Sequence, residues 1–289
     1  MTTQAVPGTV VPSGAQVSPG GGFGPQGGTG PIGNTGGIGP PFQAGGILKY
    51  VSATQLSFTP FNGSQIQING SVYNIPSAGI AGLNNTNVYI DGAAGQNLAI
   101  NTNYYVYCWN NAGVLTGEFS TTGHATSSTA GNVGTEIKSG DDTRTLIGLI
   151  RTGGTALFFD TTGNRWVRSW FNRNRASFVG STSGGFAGAT SAATSATANF
   201  LAFANEAVVA SGCCFGTGTV VANYILSMNL DTVSISQSGV STTGTTAKYE
   251  STAVCGAWVV SEGLHTVTLY ATMSSGTFNG NWWMNGLLG

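Results

Sequence analysis

The sequence predicts an all-β protein: an extended N-terminal arm and a short collagen-like stalk, followed by two β-sandwich, jelly-roll-like domains. Three observations carry this expectation. Glycine recurs at every third position from Gly21 to Gly39. Downstream, short runs rich in Val, Ile, Thr and aromatics alternate apolar with polar residues and are divided by Gly, Asn and Ser turns. No segment sustains a helical period.

The repeat comes first in the chain. Gly21, Gly24, Gly27, Gly30, Gly33, Gly36 and Gly39 hold one phase, and Pro25, Pro31 and Pro40 each follow one of them. In a triple helix only glycine fits at the axis where three polyproline-II-like chains meet. Twenty-one such residues make a rod of roughly 65 Å at ~3.1 Å per residue. The pattern therefore predicts a homotrimer with a stalk over 21–46. A stalk with so few prolines needs a globular trimerising domain to clamp it. Residues 1–20, with Pro7, Pro12 and Pro19, read as an extended arm that docks on another protein.

Composition narrows the function. Charged residues make up 7% of the 289, against about 25% in an average globular chain. From Met1 to Leu48 there is no charged side chain at all. Short hydroxyl and amide side chains suit strands, tight turns and extended subunit contacts. A net charge of −1 leaves solubility unsecured by repulsion, which suits a component of an assembly. It also argues against nucleic-acid binding, which needs a basic excess. The N-terminus has no basic start and no long apolar run, so neither a secretory signal nor a membrane span is expected. A stalked protein without an export signal fits release by lysis of a bacterial host cell.

Residues 47–175 read as the first β-rich domain. QIQINGSVYNIP is a hairpin, because Ile66 and Ile68 alternate and Asn69–Gly70 tolerates the positive φ angles of a two-residue turn. NYYVYCWN is almost wholly aromatic or β-branched and is expected to be buried on both faces. A Ser/Thr/Gly loop is expected over 120–131, and TRTLIGLI and TALFFD are two further strands. RWVRSWFNRNR concentrates Arg165, Arg168, Arg173 and Arg175. Read as a strand it mixes charge and apolar surface on both faces, which marks an interface where arginine pairs with carboxylates and packs on aromatics. Asp141, Asp142 and Asp160 are the available partners.

Residues 176–289 read as the second domain. Its first stretch, 176–199, is low-complexity Gly, Ala, Ser and Thr, a linker or the start of the domain. LHTVTLYATM then places His265, Val267, Leu269, Ala271 and Met273 on one face, the signature of a half-buried antiparallel strand. Trp282 and Trp283 near the C-terminus are either a sugar-stacking patch for a host-surface glycan or core and trimer-contact residues. Cys108, Cys213, Cys214 and Cys255 lack zinc spacing. They are either buried thiols or a bridge from Cys255 to Cys213 or Cys214, within or between chains.

The sequence carries no phosphate loop, dinucleotide fingerprint, nucleophile elbow or zinc-protease motif. Its two histidines, His124 and His265, lie in a loop and on an apolar strand face. Adjacent Asp141 and Asp142 read as turn residues. No catalytic residue, cofactor or metal ligand is expected.

Several segments of residues 47–173 resemble modules of tailed-bacteriophage fibre and decoration proteins. They are Tyr50-Val51-Ser52, Ile66-Gln67-Ile68-Asn69-Gly70, Asn103-Tyr104-Tyr105-Val106-Tyr107, Gly140-Asp141-Asp142-Thr143-Arg144-Thr145-Leu146-Ile147-Gly148 and Arg168-Ser169-Trp170-Phe171-Asn172-Arg173. The C-terminal part is similar to the trimeric jelly-roll heads that cap collagen-like stalks in phage fibres, and to tumour-necrosis-factor-like heads. The resemblance implies a structural or attachment role in a virion: a tail, head or neck fibre whose arm binds other virion proteins. The alternatives are a bacterial spore-surface protein with a jelly-roll head, and a glycan-degrading tailspike enzyme with paired carboxylates in a cleft.

Overall fold

The alternating segments fold as strands throughout. The computed structural model describes residues 45–187, 193–218, 223–241, 248–273 and 276–289, and every regular element among them is a β-strand. The arm and the glycine triplets lie outside the described residues. Gly45 and Gly46, placed in the stalk by composition, belong to the body: Gly45 N–H donates to the Gln65 carbonyl, and Gly46 opens the first strand.

Two hairpins come first, β1 (Gly46–Ser52) with β2 (Gln55–Pro60) and β3 (Gln65–Ile68) with β4 (Ser71–Asn74). The second turns as expected, with φ of 48° at Asn69 and 77° at Gly70. An eight-stranded sheet follows. It comprises β5 (Val88–Ile90), β6 (Ala93–Gln96), β7 (Asn103–Asn111), β8 (Val114–Ser120), β9 (His124–Thr126), β10 (Glu136–Lys138) and β11 (Asp141–Arg151). After two short strands, β12 (Asp160–Thr161) and β13 (Asn164–Arg165), the eighth member, β14 (Val167–Ser169), returns to pair with β11.

The later strands are longer: β15 (Ala176–Ala187), β16 (Ala193–Ala202), β17 (Ala207–Gly218), β18 (Asn223–Leu230), β19 (Val233–Ser241), β20 (Lys248–Val259), β21 (Gly263–Met273) and β22 (Thr277–Leu288). They form one sheet in the order β15-β22-β17-β20 and another in the order β16-β21-β18-β19, extended by β13 and β12. The two inner faces share one core that includes Phe178, Phe200, Leu226, Leu269, Trp282 and Met284. On β21 the inward set is the one read from alternation, from His265 to Met273.

Three expectations are corrected. The loop over 120–131 contains β9. TALFFD forms no full strand, only a bridge from Thr152 to Phe158 and the start of β12. The Arg-rich run is broken: β14 covers three residues of it, and Asn172, at φ 50°, turns the chain away. Conversely, the low-complexity stretch supplies β15 and part of β16. Its small residues let the two sheets approach, since a side chain at Gly180 would meet the Thr197 carbonyl at 2.8 Å.

The eight-stranded sheet is apolar on both faces, which explains the unbroken run in β7. Tyr104, Val106 and Cys108 pack beneath the two hairpins with Leu56, Phe58 and Ile66. Tyr107, with Leu146 and Leu149 of β11, packs instead against Leu201 and Phe203, at and just beyond the end of β16. A β-bulge between Leu146 and Gly148 lets LIGLI feed both cores. Pro41–Gly289 forms one compact unit.

Candidate functional site

Three places draw together the residues singled out by sequence. The first is the seam between the eight-stranded sheet and the C-terminal sandwich. Arg168, buried on β14, donates from Nη2 to Glu206 Oε1 at 2.7 Å and from Nη1 to the Asn174 carbonyl. Glu206 Oε2 accepts the Phe203 N–H at 3.0 Å, which closes the turn after β16. Arg173 lies 3.6 Å from the same carboxylate, and its guanidinium stacks 4.1 Å from the Trp170 ring and 4.5 Å from that of Phe203. Trp170 and Phe203 meet edge-on at 4.9 Å. The arginine run thus supplies an interface within the chain. Its acidic partners are Glu206, for Arg168 and Arg173, and Asp160, for Arg165, not Asp141 or Asp142. The signal was available: Glu206 is the only acid between Asp160 and Asp231, and it sits in an apolar run.

His124 closes the same seam. Its Nδ1 lies 2.6 Å from Glu136 and its Nε2 2.9 Å from Glu262, which belongs to the turn before β21. Tyr105 donates its hydroxyl to Glu262. The hydrogen bond with Glu262 raises the His124 pKa above its ordinary value; burial opposes this, and Glu136 adds to it. Burial alone would raise Glu262, but hydrogen bonds from His124 and Tyr105 outweigh it and hold Glu262 below its usual range. A raised imidazole pKa adds stability that is complete below the unfolded value of 6.5 and is lost as pH rises through the folded value. A depressed Glu262 adds stability above the unfolded value of 4.5, lost as pH falls through the folded one. The clamp is strongest between those limits. We expect the melting-temperature margin of the parent chain over His124→Gln to shrink as pH rises above the unfolded value of 6.5 and through the raised folded one. A margin constant across that range would remove the charged imidazole from the stability of the seam.

Other charged groups serve the frame. Glu118, buried on β8, accepts from Lys138 at 2.9 Å and from Arg144 at 2.8 Å. Asp142 ties down the loop ahead of β10 by accepting from Ser127, Thr129 and Asn132. His265 is buried and bonded to Asp231 and the Ser261 carbonyl, a satisfied core histidine.

The second place is the outward face of the β15-β22-β17-β20 sheet. It exposes Val179, Val209, Phe215, Val259, Trp283 and Leu287, and none of the described outward residues there is charged. Leu287 lies opposite Val209, and Phe215 stacks on Trp283 at 5.2 Å, so the patch is continuous across strands. The opposite sheet shows mainly Thr, Ser, Asn and Tyr outward, with Ile225 and Val233 as its exposed large apolar residues. Trp282 points into the core, which corrects its reading as a glycan contact; Trp283 is on the surface. All four cysteines are free thiols: Cys108 and Cys214 are buried, whereas Cys213 and Cys255 lie on this outward face. No bridge joins Cys255 to Cys213 or Cys214 within the chain. Burial pushes the Cys214 thiol up to about 11, against a partly offsetting backbone hydrogen bond.

The third place is a cavity of about 370 Å³ beside β1, lined by Arg165, Arg168 and Arg175. Arg165 Nη1 lies 3.6 Å from Asp160 there, and its Nε donates to the Ser177 carbonyl.

No protein-family model and no curated protein matches the chain. Among solved structures it is similar to one described as the structure of infectious bursal disease virus Gx strain. That likeness spans 85% of this chain and 69% of the other at 9% identity, with a TM-score of 0.33. A likeness at that level assigns neither family nor function.

Proposed function

We propose that this chain is a structural protein of a virion, a homotrimeric fibre or decoration component of a tailed phage. The observation that carries the reading is the uncharged apolar face of the β15-β22-β17-β20 sheet in a chain that also contains seven Gly-x-y triplets. An apolar patch without charge can meet copies of itself with no like-charge repulsion, and its Asn279, Asn281 and Asn285 both donate and accept. Triplets in one phase call for three chains. The alternation of strands between two facing sheets also supports a jelly-roll head at the end of such a stalk. The stalk sets the distance of the head from the particle, and three heads multiply weak contacts through effective concentration.

Light scattering on the full chain is expected to return three times the chain mass of 29.3 kDa. Val209→Glu, on the exposed face, is expected to give monomers. In the trimer Cys213 and Cys255 should resist a thiol reagent that labels both in the variant. A monomeric parent chain with both thiols open would remove the trimer and the fibre reading with it.

A further inference from the structure

We propose that the cavity walled by Arg168 and Asp160 binds an acidic sugar unit, a polyhydroxylated ring bearing one carboxylate. At about 370 Å³ it falls within the usual range of small-molecule sites, roughly 300–1,000 Å³. It opens between β1, β13, β14 and the start of β15.

Charge concentrates there against the composition. The chain has nine Lys and Arg, and four of them line this one cavity: Lys49, Arg165, Arg168 and Arg175. Asp160 is the only acid in the lining. Arg168 is neutralised from behind by Glu206, but Arg175 is exposed and has no ion pair among the described residues. The excess is therefore positive and faces the opening.

Two buried polar atoms in the wall lack a hydrogen-bond partner, the Nε–H of Arg168 and Oδ1 of Asp160. One is a donor and the other an acceptor. Between them they call for a ligand that both accepts and donates, as a sugar with a carboxylate and free hydroxyls does. Tyr50, at the rim and 36% exposed, offers a ring for the C–H face of a sugar. Residues 1–48 of this chain carry no charge and give the arginines nothing to pair with. A phosphate dianion would bring a second charge against Asp160. Burial pushes the Asp160 carboxyl up to about 6 despite Arg165 and Arg168 nearby, so at neutral pH it is still largely ionised.

The site lies within one chain, so it goes beyond the fibre reading and does not depend on it. Calorimetric titration of the full chain with D-galacturonate, D-galactose and inorganic phosphate tests it. Galacturonate is expected to bind at least about tenfold more tightly than galactose, and Arg175→Gln to weaken it about tenfold, the scale of one charge-assisted hydrogen bond. Arg165→Gln is the second variant, and both must keep the parent melting temperature. No heat with galacturonate, equal affinity for galactose, or affinity unchanged in both variants would overturn the site. Phosphate binding as tightly as galacturonate, with the same dependence on Arg175, would overturn the sugar assignment. Loss of the site while the three-chain mass persists would leave the fibre reading standing.

Discussion

Glu206→Ala is expected to destabilise the protein by about 3–5 kcal/mol, the usual cost of removing one member of a buried ion pair. Arg168 is 4% exposed, and its carboxylate partner is 6% exposed. Without Glu206 the guanidinium stays buried with its charge uncompensated. The same substitution frees the Phe203 N–H and removes the nearest anion from Arg173. For a unit of this size the loss corresponds to a drop on the order of 10 °C in melting temperature. Calorimetry measures it. Glu206→Gln, which keeps an acceptor and the volume, should fall between the two. A loss below about 1 kcal/mol would mean that the pair is solvated and that the seam rests on apolar packing alone.

Phe203→Ala is expected to cost about 3–5 kcal/mol through a different mechanism, the cavity left in a closed apolar cluster. Phe203 is 1% exposed and packs with Tyr107, Leu146, Leu149 and Leu201 from both sides of the seam. The Trp170 and His124 rings and the Arg173 guanidinium lie against it. No small shift of either sheet refills so large a gap, because both sheets are held elsewhere by their own cores. Urea unfolding of the parent chain should be a single transition, and the variant should resolve two. A variant that still unfolds in one step near the parent midpoint would show that the sheet and the sandwich are coupled elsewhere.

These expectations rest on a seam that was only half legible in the sequence. That Arg168 and Arg173 serve an interface follows from their place among Trp166, Trp170 and Phe171. That the partner is Glu206 does not, because β14 ends on one sheet and Glu206 turns out of another, 38 residues later. His124 shows the same limit. Its neighbours in sequence are small and polar, and its two carboxylates arrive from 12 and 138 residues away. The cavity at Asp160 is more distant still from any pattern, since Lys49 and Arg175 belong to opposite ends of the first β-rich region.

The local order of this protein is written along the chain. Alternation set the strands and their inward faces, as on β21. Asn69–Gly70 set a hairpin, and the glycine triplets set an expectation of three chains. Each of these depends on residues within about one element length, where backbone geometry and burial act directly. Sheet packing decided that low-complexity Gly and Ala would become β15 and part of β16, because small residues are neutral about strand or loop until a facing sheet presses on them. It also decided that Leu149 would share a face of β11 with Leu146, and Ile150 the other face with Ile147, three residues apart instead of two. The bulge that shifts the phase arises where a side chain at Gly148 would come within 2.5 Å of the Arg168 carbonyl, a contact between strands that no spacing along the chain can encode. Which buried charge meets which, and which apolar face is left uncovered, are consequences of how the sheets stack, and stacking is settled by the sum of many long-range contacts.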